Sequence, residues 1–122
     1  MTTPNINELT IESVSMPEGF CIIRLNGWVT AINSPQFQEA VDKTRGTSTI
    51  VDLTSVPYMD SSGLGVLLRG YVGCQKNGGQ FMLAGMVPRV HELLQLTKVA
   101  TLFPTYPNTA DAAAALKKAA GK

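Results

Sequence analysis

Charged residues are scarce in this chain of 122 residues, at 16% of the sequence against roughly 25% in an average soluble domain. Ten lysine and arginine residues against nine aspartate and glutamate residues leave a formal net charge of +1. A surface this close to neutral attracts nucleic acid or an anionic membrane only weakly. We therefore predict no direct nucleic-acid binding, and we expect function to lie in surface recognition or in one local site.

Cysteine and histidine are also rare, with two cysteines and one histidine in the whole chain. Cys21 falls in a predicted strand and Cys74 in a predicted helix, which indicates free thiols rather than a disulfide framework. The sequence around His91 begins like a zinc-protease motif, but the second histidine is missing. We therefore predict no metal, no cofactor and a helix-surface position for His91.

Long apolar runs are absent, and none reaches the length that spans a bilayer. The first five residues show no basic segment followed by an apolar core, so no signal peptide is predicted. These absences predict a cytoplasmic protein with no membrane insertion. With 44% hydrophobic residues, the chain suits one domain with a buried core. We predict a single domain over 1–122, with its core at about 9–116 and short flexible ends.

Strand and helix signals alternate along the chain, which predicts an α/β sheet with helices packed on it. Ser34 and Thr109 are the predicted N-caps of the first and last helices, and Asp111 and two lysines fit the dipole of the last helix. The predicted strands cover 7–14, 20–25, 48–53, 80–84 and about 101–103, and the predicted helices cover 34–44, 60–62 to about 76, 87–96 and 109 onward.

The most informative segment is 51–65, where an apolar strand leads through a loop to the start of an amphipathic helix. The first turn of a helix has unpaired N–H groups and a partial positive charge, so Ser61 and Ser62 lie beside anion-binding donors. Gly63 and Gly65 remove side-chain bulk, which lets another protein approach the backbone. The same residues also fit plain helix capping by Asp60 or Ser61, and their spacing leaves both interpretations open.

Catalysis by either serine is disfavoured by the spacing of the glycines. A hydrolase nucleophile elbow needs glycine two residues before and two residues after the serine, and neither Ser61 nor Ser62 has both. His91 is the only histidine that would serve as a base, and no phosphate-binding loop motif is present. We therefore predict that the protein is not an enzyme.

The segment 59–65 resembles the STAS domain family, and it is most similar to the bacterial anti-sigma factor antagonists. The order of elements fits from about Leu9 to Leu116. This resemblance implies a single STAS-type α/β domain with a mixed sheet of four to five strands and about four helices packed mainly on one face. The matching strings are Met59-Asp60-Ser61-Ser62-Gly63-Leu64-Gly65, Val51-Asp52-Leu53, Gly78-Gly79, Phe81-Met82-Leu83-Ala84-Gly85 and Val87-Pro88-Arg89-Val90.

The resemblance also implies a partner-switching regulator, which binds an anti-sigma factor that is also a serine kinase and so releases a sigma factor. The kinase phosphorylates the serine after the aspartate, here Ser61, and a protein phosphatase resets it. Ser62 either donates to the phosphate or caps the helix. Asp60 orients the Ser61 hydroxyl, contacts the kinase or caps the helix. For Asp52, near a strand end, a hydrogen bond to the following loop is favoured over contact with a partner. The expected state is a monomer or a weak dimer.

One departure from the family pattern lies after the second strand, in a loop expected beside the serine helix. Many family members carry Gly-Glu-Leu-Asp there, whereas this chain has Gly27-Trp28-Val29-Thr30. Trp28 either forms a different apolar interface or packs under the loop, and Leu64 either contacts the partner or packs in the core. The alternative function is a STAS scaffold or accessory subunit of a signalling or lipid-transport complex that is not phosphorylated. The predicted partner-binding residues are Asp60, Ser62, Gly63, Leu64, Gly65, Met59 and Trp28.

Overall fold

A computed structural model describes residues 8–120, with side chains as far as residue 118. Asn7, where the first strand was predicted to begin, and the predicted flexible ends at 1–7 and 121–122 lie outside the described residues. The elements, in order, are β1 (Leu9–Ser15), β2 (Phe20–Gly27), α1 (Ser34–Lys43), β3 (Ser48–Ser55), α2 (Ser61–Lys76), β4 (Phe81–Ala84), α3 (Pro88–Leu96), a 3-10 turn (Ala100–Leu102), β5 (Thr105–Tyr106) and α4 (Thr109–Ala120).

The strands form one mixed sheet in the order β1-β2-β3-β4-β5. β1 is antiparallel to β2, and β2 to β5 are parallel to one another. Because parallel strands end at the same edge of a sheet, the loops that follow β2, β3 and β4 meet there. The helices α1, α2 and α3 therefore all begin at that edge, and the serine segment lies in the middle of it.

Successive strand residues face opposite sides of the sheet, and each side is covered. The larger core, built around Val51 and Leu83, packs against α1, α2 and α3. The smaller core, built around Ile50 and Met82, packs against Leu116 of α4. Three of the four described helices thus share one face, which confirms the predicted α/β architecture.

The last strand was predicted at about 101–103, and that position is wrong. Residues 100–102 form a 3-10 turn, and the two-residue strand β5 follows at 105–106. The Phe103 side chain is buried against the rings of Tyr71 and Phe81. Pairing with β4 begins only at the Pro104 carbonyl, which accepts a hydrogen bond from the Leu83 N–H at 3.0 Å.

The two predicted N-caps are each displaced by one residue. Asn33 precedes α1, although its side chain bonds to the preceding loop rather than to the helix, and Ser34 is already helical. At α4, the Asn108 Oδ1 accepts a hydrogen bond from the Asp111 N–H at 2.8 Å, which is the bond of an N-cap. Thr109 is therefore the first residue of the helix rather than its cap.

The two cysteines are free but differ in exposure, and we predict that alkylation of the native protein separates them. Cys74 is 4% exposed, and burial raises the pKa of its thiol, whereas Cys21 is only partly buried. Because the thiolate is the reacting species, iodoacetamide should modify Cys21 well before Cys74 at pH 8. Peptide mass spectrometry at timed quenches measures both rates, and a urea-unfolded sample is the control in which the rates converge. Equal rates in the native protein would contradict the prediction.

Candidate functional site

Helix α2 begins at Asp60, whose extended backbone and side chain form a complete N-cap. The Asp60 Oδ1 accepts hydrogen bonds from the N–H groups of Ser62 at 2.8 Å and of Gly63 at 3.4 Å. Two of the donors that a helix leaves unpaired in its first turn are thereby satisfied. Of the two predicted capping residues, Asp60 rather than Ser61 fills this role.

The second oxygen of the same carboxylate binds a different part of the chain. The Asp60 Oδ2 accepts a hydrogen bond from the Ala31 N–H at 3.1 Å. The main chain adds two bonds at 3.0 Å, from the Asp60 N–H to the Val29 carbonyl and from the Val29 N–H to the Tyr58 carbonyl. The loop at 28–33, which we call the β2–α1 loop, therefore lies beside the serine helix, as expected from the sequence.

Ser61 is the first residue of α2, and its side chain is exposed, whereas Ser62 is partly buried. The Ser61 hydroxyl makes no hydrogen bond to any residue in the described range 8–120. An exposed hydroxyl at a helix N-terminus is open to a kinase, and the partial positive charge there favours an added anion. Of the two serines, Ser61 is thus the accessible one.

The two glycines after the serines have different surroundings. A Cβ atom at Gly63 would lie 2.6 Å from the Met59 Cγ and 2.7 Å from the Val29 Cγ1, so this glycine is required by packing inside the domain. At Gly65 the nearest atom would be the Arg69 Nη1 at 3.5 Å, an ordinary contact. Gly65 follows Ser61 by four residues and shares its helix face, so only Gly65 leaves open backbone for a partner.

Met59 and Leu64 lie in the core, with 3% and 6% of their surfaces exposed. These side chains offer almost no area to a docked protein, and the packing alternative fits Leu64. Both residues were predicted to contact a partner. Their burial disfavours that prediction, which stays untested.

Trp28 packs against Tyr58, with 5.0 Å between the ring centroids and a tilt of 45°. On Tyr58 the Arg89 guanidinium lies 5.3 Å from the ring centroid, within the range of a cation–π contact. Trp28 packs on the loop but is only partly buried, so it still presents apolar surface, and an interface there stays a prediction. Ile32, in the same loop, is 70% exposed.

Sequence reasoning did not select Ile32 or Arg89 for the site. Ile32 lies in a loop that also contains the apolar residues Trp28, Val29 and Ala31, and Arg89 was noted only as part of a matching string. Each reaches the site because the loops after β2, β3 and β4 meet at one edge of the sheet. The sequence carried no signal that separates the exposed Ile32 from its apolar neighbours Trp28 and Val29, because exposure here depends on how the loops pack.

Asp52 was predicted to bond to the loop that follows β3, but its described partners lie within the sheet. The Asp52 Oδ1 accepts hydrogen bonds from the Thr54 N–H at 3.0 Å and the Thr54 hydroxyl at 2.5 Å. The Asp52 Oδ2 lies 3.5 Å from the Arg24 Nε. These bonds hold the end of β3, from which the loop to the serine helix departs.

Metal-binding groups of three or more His, Cys, Asp or Glu side chains are not found within residues 8–120. The helices in the same range are all too short or too polar to cross a membrane.

A sequence model of the STAS domain matches residues 13–112. The chain belongs to the STAS domain family. Among relatives of this STAS protein, the anti-sigma F factor antagonist of Paenibacillus polymyxa is 32% identical over 98 residues, which cover 77% of this chain and 84% of that protein.

Solved structures show the same fold. An anti-sigma factor antagonist from Mycobacterium paratuberculosis has a TM-score of 0.83 at 22% identity, covering 96% of this chain and 99% of that one. The Bacillus cell fate determinant SpoIIAA in its phosphorylated form has a TM-score of 0.64 at 18% identity, covering 79% of this chain and 90% of that one. At these identities the likeness establishes the fold.

Proposed function

We propose that this STAS protein is an anti-sigma factor antagonist that is switched by phosphorylation of Ser61. Unphosphorylated, it binds an anti-sigma factor that is also a serine kinase, and phosphorylation by that kinase releases it. The observation that carries the proposal is the exposed Ser61 hydroxyl at the first position of α2, with the N-cap role already filled by Asp60. Ser61 is therefore not needed as a cap, and its hydroxyl is accessible for chemistry.

The surface around Ser61 suits protein docking. Gly65 leaves open backbone on the same helix face, and Trp28 and Ile32 present apolar area from an ordered loop. Tryptophan, tyrosine and arginine are the residues most enriched in interface hot spots, and Trp28, Tyr58 and Arg89 lie in one row here. Asp60 and Ser62 contribute mainly by shaping the start of the helix.

The relatives support the class of partner, since the Paenibacillus protein is named for its action on an anti-sigma factor. In this proposal the STAS protein is a substrate and a switch rather than an enzyme, and it needs no cofactor. A protein phosphatase restores the binding form. We place the switch in the cytoplasm, where its partners and ATP are found, and propose that it acts as a monomer or weak dimer.

The proposal predicts that a serine kinase of the anti-sigma factor class phosphorylates Ser61. Each such kinase encoded by the source organism is incubated with the chain and ATP, and intact mass with peptide mapping locates the phosphoryl group. We expect one phosphoryl group on Ser61, none on the Ser61→Ala variant and normal modification of the matched Ser62→Ala variant.

Modification at Ser62 instead of Ser61 would contradict the assignment. A partner complex that forms equally well before and after modification of Ser61 would favour the alternative of a scaffold that phosphorylation does not control. Hydrolytic turnover lost in Ser61→Ala would identify an enzyme.

A further inference from the structure

Asp60 is the only described residue that bonds both to the start of α2 and, through its side chain, to the β2–α1 loop. Its Oδ1 accepts hydrogen bonds from the N–H groups of Ser62 and Gly63, and its Oδ2 accepts one from the N–H of Ala31. The carboxylate is partly buried between the two segments. The Asp60 side chain therefore joins the start of the helix to the Ala31 end of the loop, beside the main-chain bonds that hold Val29.

A phosphoryl group on Ser61 would compete for the environment of this carboxylate. It adds about −1.5 to −2 charges and three acceptor oxygens on the residue next to Asp60. The nearest first-turn donors, the N–H groups of Ser62 and Gly63, are already bonded to the Asp60 Oδ1. Repulsion between the two anions and competition for the same donors both drive the carboxylate from its position, and its bond to Ala31 is lost with it.

The remaining bonds limit which part of the loop responds. The Asn33 side chain donates to the Trp28 carbonyl at 2.8 Å and accepts from the Thr30 N–H at 3.0 Å. Val29 keeps its two main-chain bonds to the segment before α2. Ala31 and Ile32 lie between these fixed points, in a turn that the Asn33 and Ser34 N–H groups close on the Thr30 carbonyl. The Ala31 N–H has the Asp60 Oδ2 as its acceptor, which ties this turn to the start of α2.

We propose that Asp60 is a positioning residue that couples the phosphorylation state of Ser61 to the β2–α1 loop, so that phosphorylation releases Ala31 and the exposed Ile32. The coupling deepens the proposed function, since it rests on Ser61 as the modified residue. Phosphorylation then weakens docking in two ways, by adding charge at Ser61 and by loosening an apolar contact that a partner would bind in an ordered state.

The test uses the full chain with phosphoserine introduced genetically at position 61, so that it needs neither the kinase nor the partner. NMR measures the exchange with water of individual amide protons in both forms. We expect the Ala31 amide to exchange about tenfold faster in the phosphorylated form, as for the loss of one hydrogen bond. The Thr30 amide is the internal control, because Asn33 rather than Asp60 accepts its hydrogen bond.

Asp60→Asn separates the loop contact from the capping role. An asparagine oxygen caps a helix as well as aspartate does, but its NH₂ group cannot accept from the Ala31 N–H. We expect the variant to show fast Ala31 exchange without phosphate, to keep the exchange rates of Thr30 and of the α2 amides, and to show no further change at Ala31 on phosphorylation. A purely structural role of Asp60 predicts faster exchange at Thr30 and in α2 as well, in place of this selective response.

Unchanged Ala31 exchange on phosphorylation would overturn the coupling, and so would equal acceleration of Ala31, Thr30 and the amides of α2, which indicates general loosening. A response at Ala31 without any kinase that modifies Ser61 would support the coupling while the proposed function fails. Modification of Ser61 by a kinase with no response at Ala31 would leave the proposed function standing and refute the coupling.

Discussion

Phosphorylation of Ser61 is expected to weaken binding of the anti-sigma factor by about 100-fold or more. The exposed hydroxyl lies at the start of α2, where a docked partner would enclose it. A doubly charged group that is enclosed without a matching cation costs about 2–5 kcal/mol, and each 1.4 kcal/mol is about tenfold in affinity. The loss is local, because the fold can hold a phosphate at a helix N-terminus without unfolding.

Calorimetric titration of the anti-sigma factor with both forms of the chain measures this loss. Ser61→Ala should bind within about threefold of the parent, and Ser61→Asp should fall between the parent and the phosphorylated form, since it carries less charge. Gln95→Glu is the matched control, because it adds a carboxylate at an exposed position near the other end of α3. If Gln95→Glu loses as much affinity as the phosphorylated form, the effect comes from net charge rather than from the position of Ser61. If the phosphorylated form binds as tightly as the parent, the switch is refuted.

Two glycines of α2 are expected to respond in opposite directions when each is replaced by alanine. A Cβ at Gly70 would lie 2.5 Å from the Phe81 Cε1 and 3.1 Å from the Val41 Cγ1, both of buried side chains, whereas a Cβ at Gly73 would have no atom within 4 Å. Overpacking a core costs about 1–3 kcal/mol and helix propensity offsets part of it, so we expect Gly70→Ala to lose about 1–2 kcal/mol of unfolding free energy. Gly73→Ala should gain about 0.5–1 kcal/mol from helix propensity.

Urea unfolding measures the free energy of unfolding of both variants, provided that its dependence on urea concentration has the same slope as in the parent. Because the two variants make the same chemical change three residues apart in one helix, helix propensity is common to both and only the surroundings differ. Equal free energies of unfolding for Gly70→Ala and Gly73→Ala would mean that α2 does not approach β4 as closely as the structure has it.

Elements with a clear period or a strong boundary could be predicted from the sequence to within two residues. β2 begins at Phe20 as expected, and α1 begins one residue before its predicted start, at Ser34, because an apolar strand and a Ser-Pro start are strong local signals. The strand β5 has only two residues, too few to show alternation, and it was predicted at the more apolar 101–103. The caps moved by one position because Asn33 and Asn108 each precede a second residue that also caps well.

In the site, too, contacts between residues close in sequence could be predicted, and contacts between distant residues could not. The capping role of Asp60 could be predicted, because a cap and its donors are three residues apart or less. Its bond to Ala31 could not, since it joins residues 29 positions apart and depends on how two loops meet. The packing role of Gly63 was likewise hidden, because it depends on Val29 from the other loop.

The main-chain bonds between Val29 and the segment 58–60 hold the β2–α1 loop beside the serine helix. Such bonds do not depend on which side chains occupy positions 28, 30 and 32. A lineage that duplicates this protein could therefore alter those three residues and give each copy its own partner, while every copy keeps the proposed phosphorylation site. Parallel signalling circuits in one cell would then stay insulated from one another by a few loop residues.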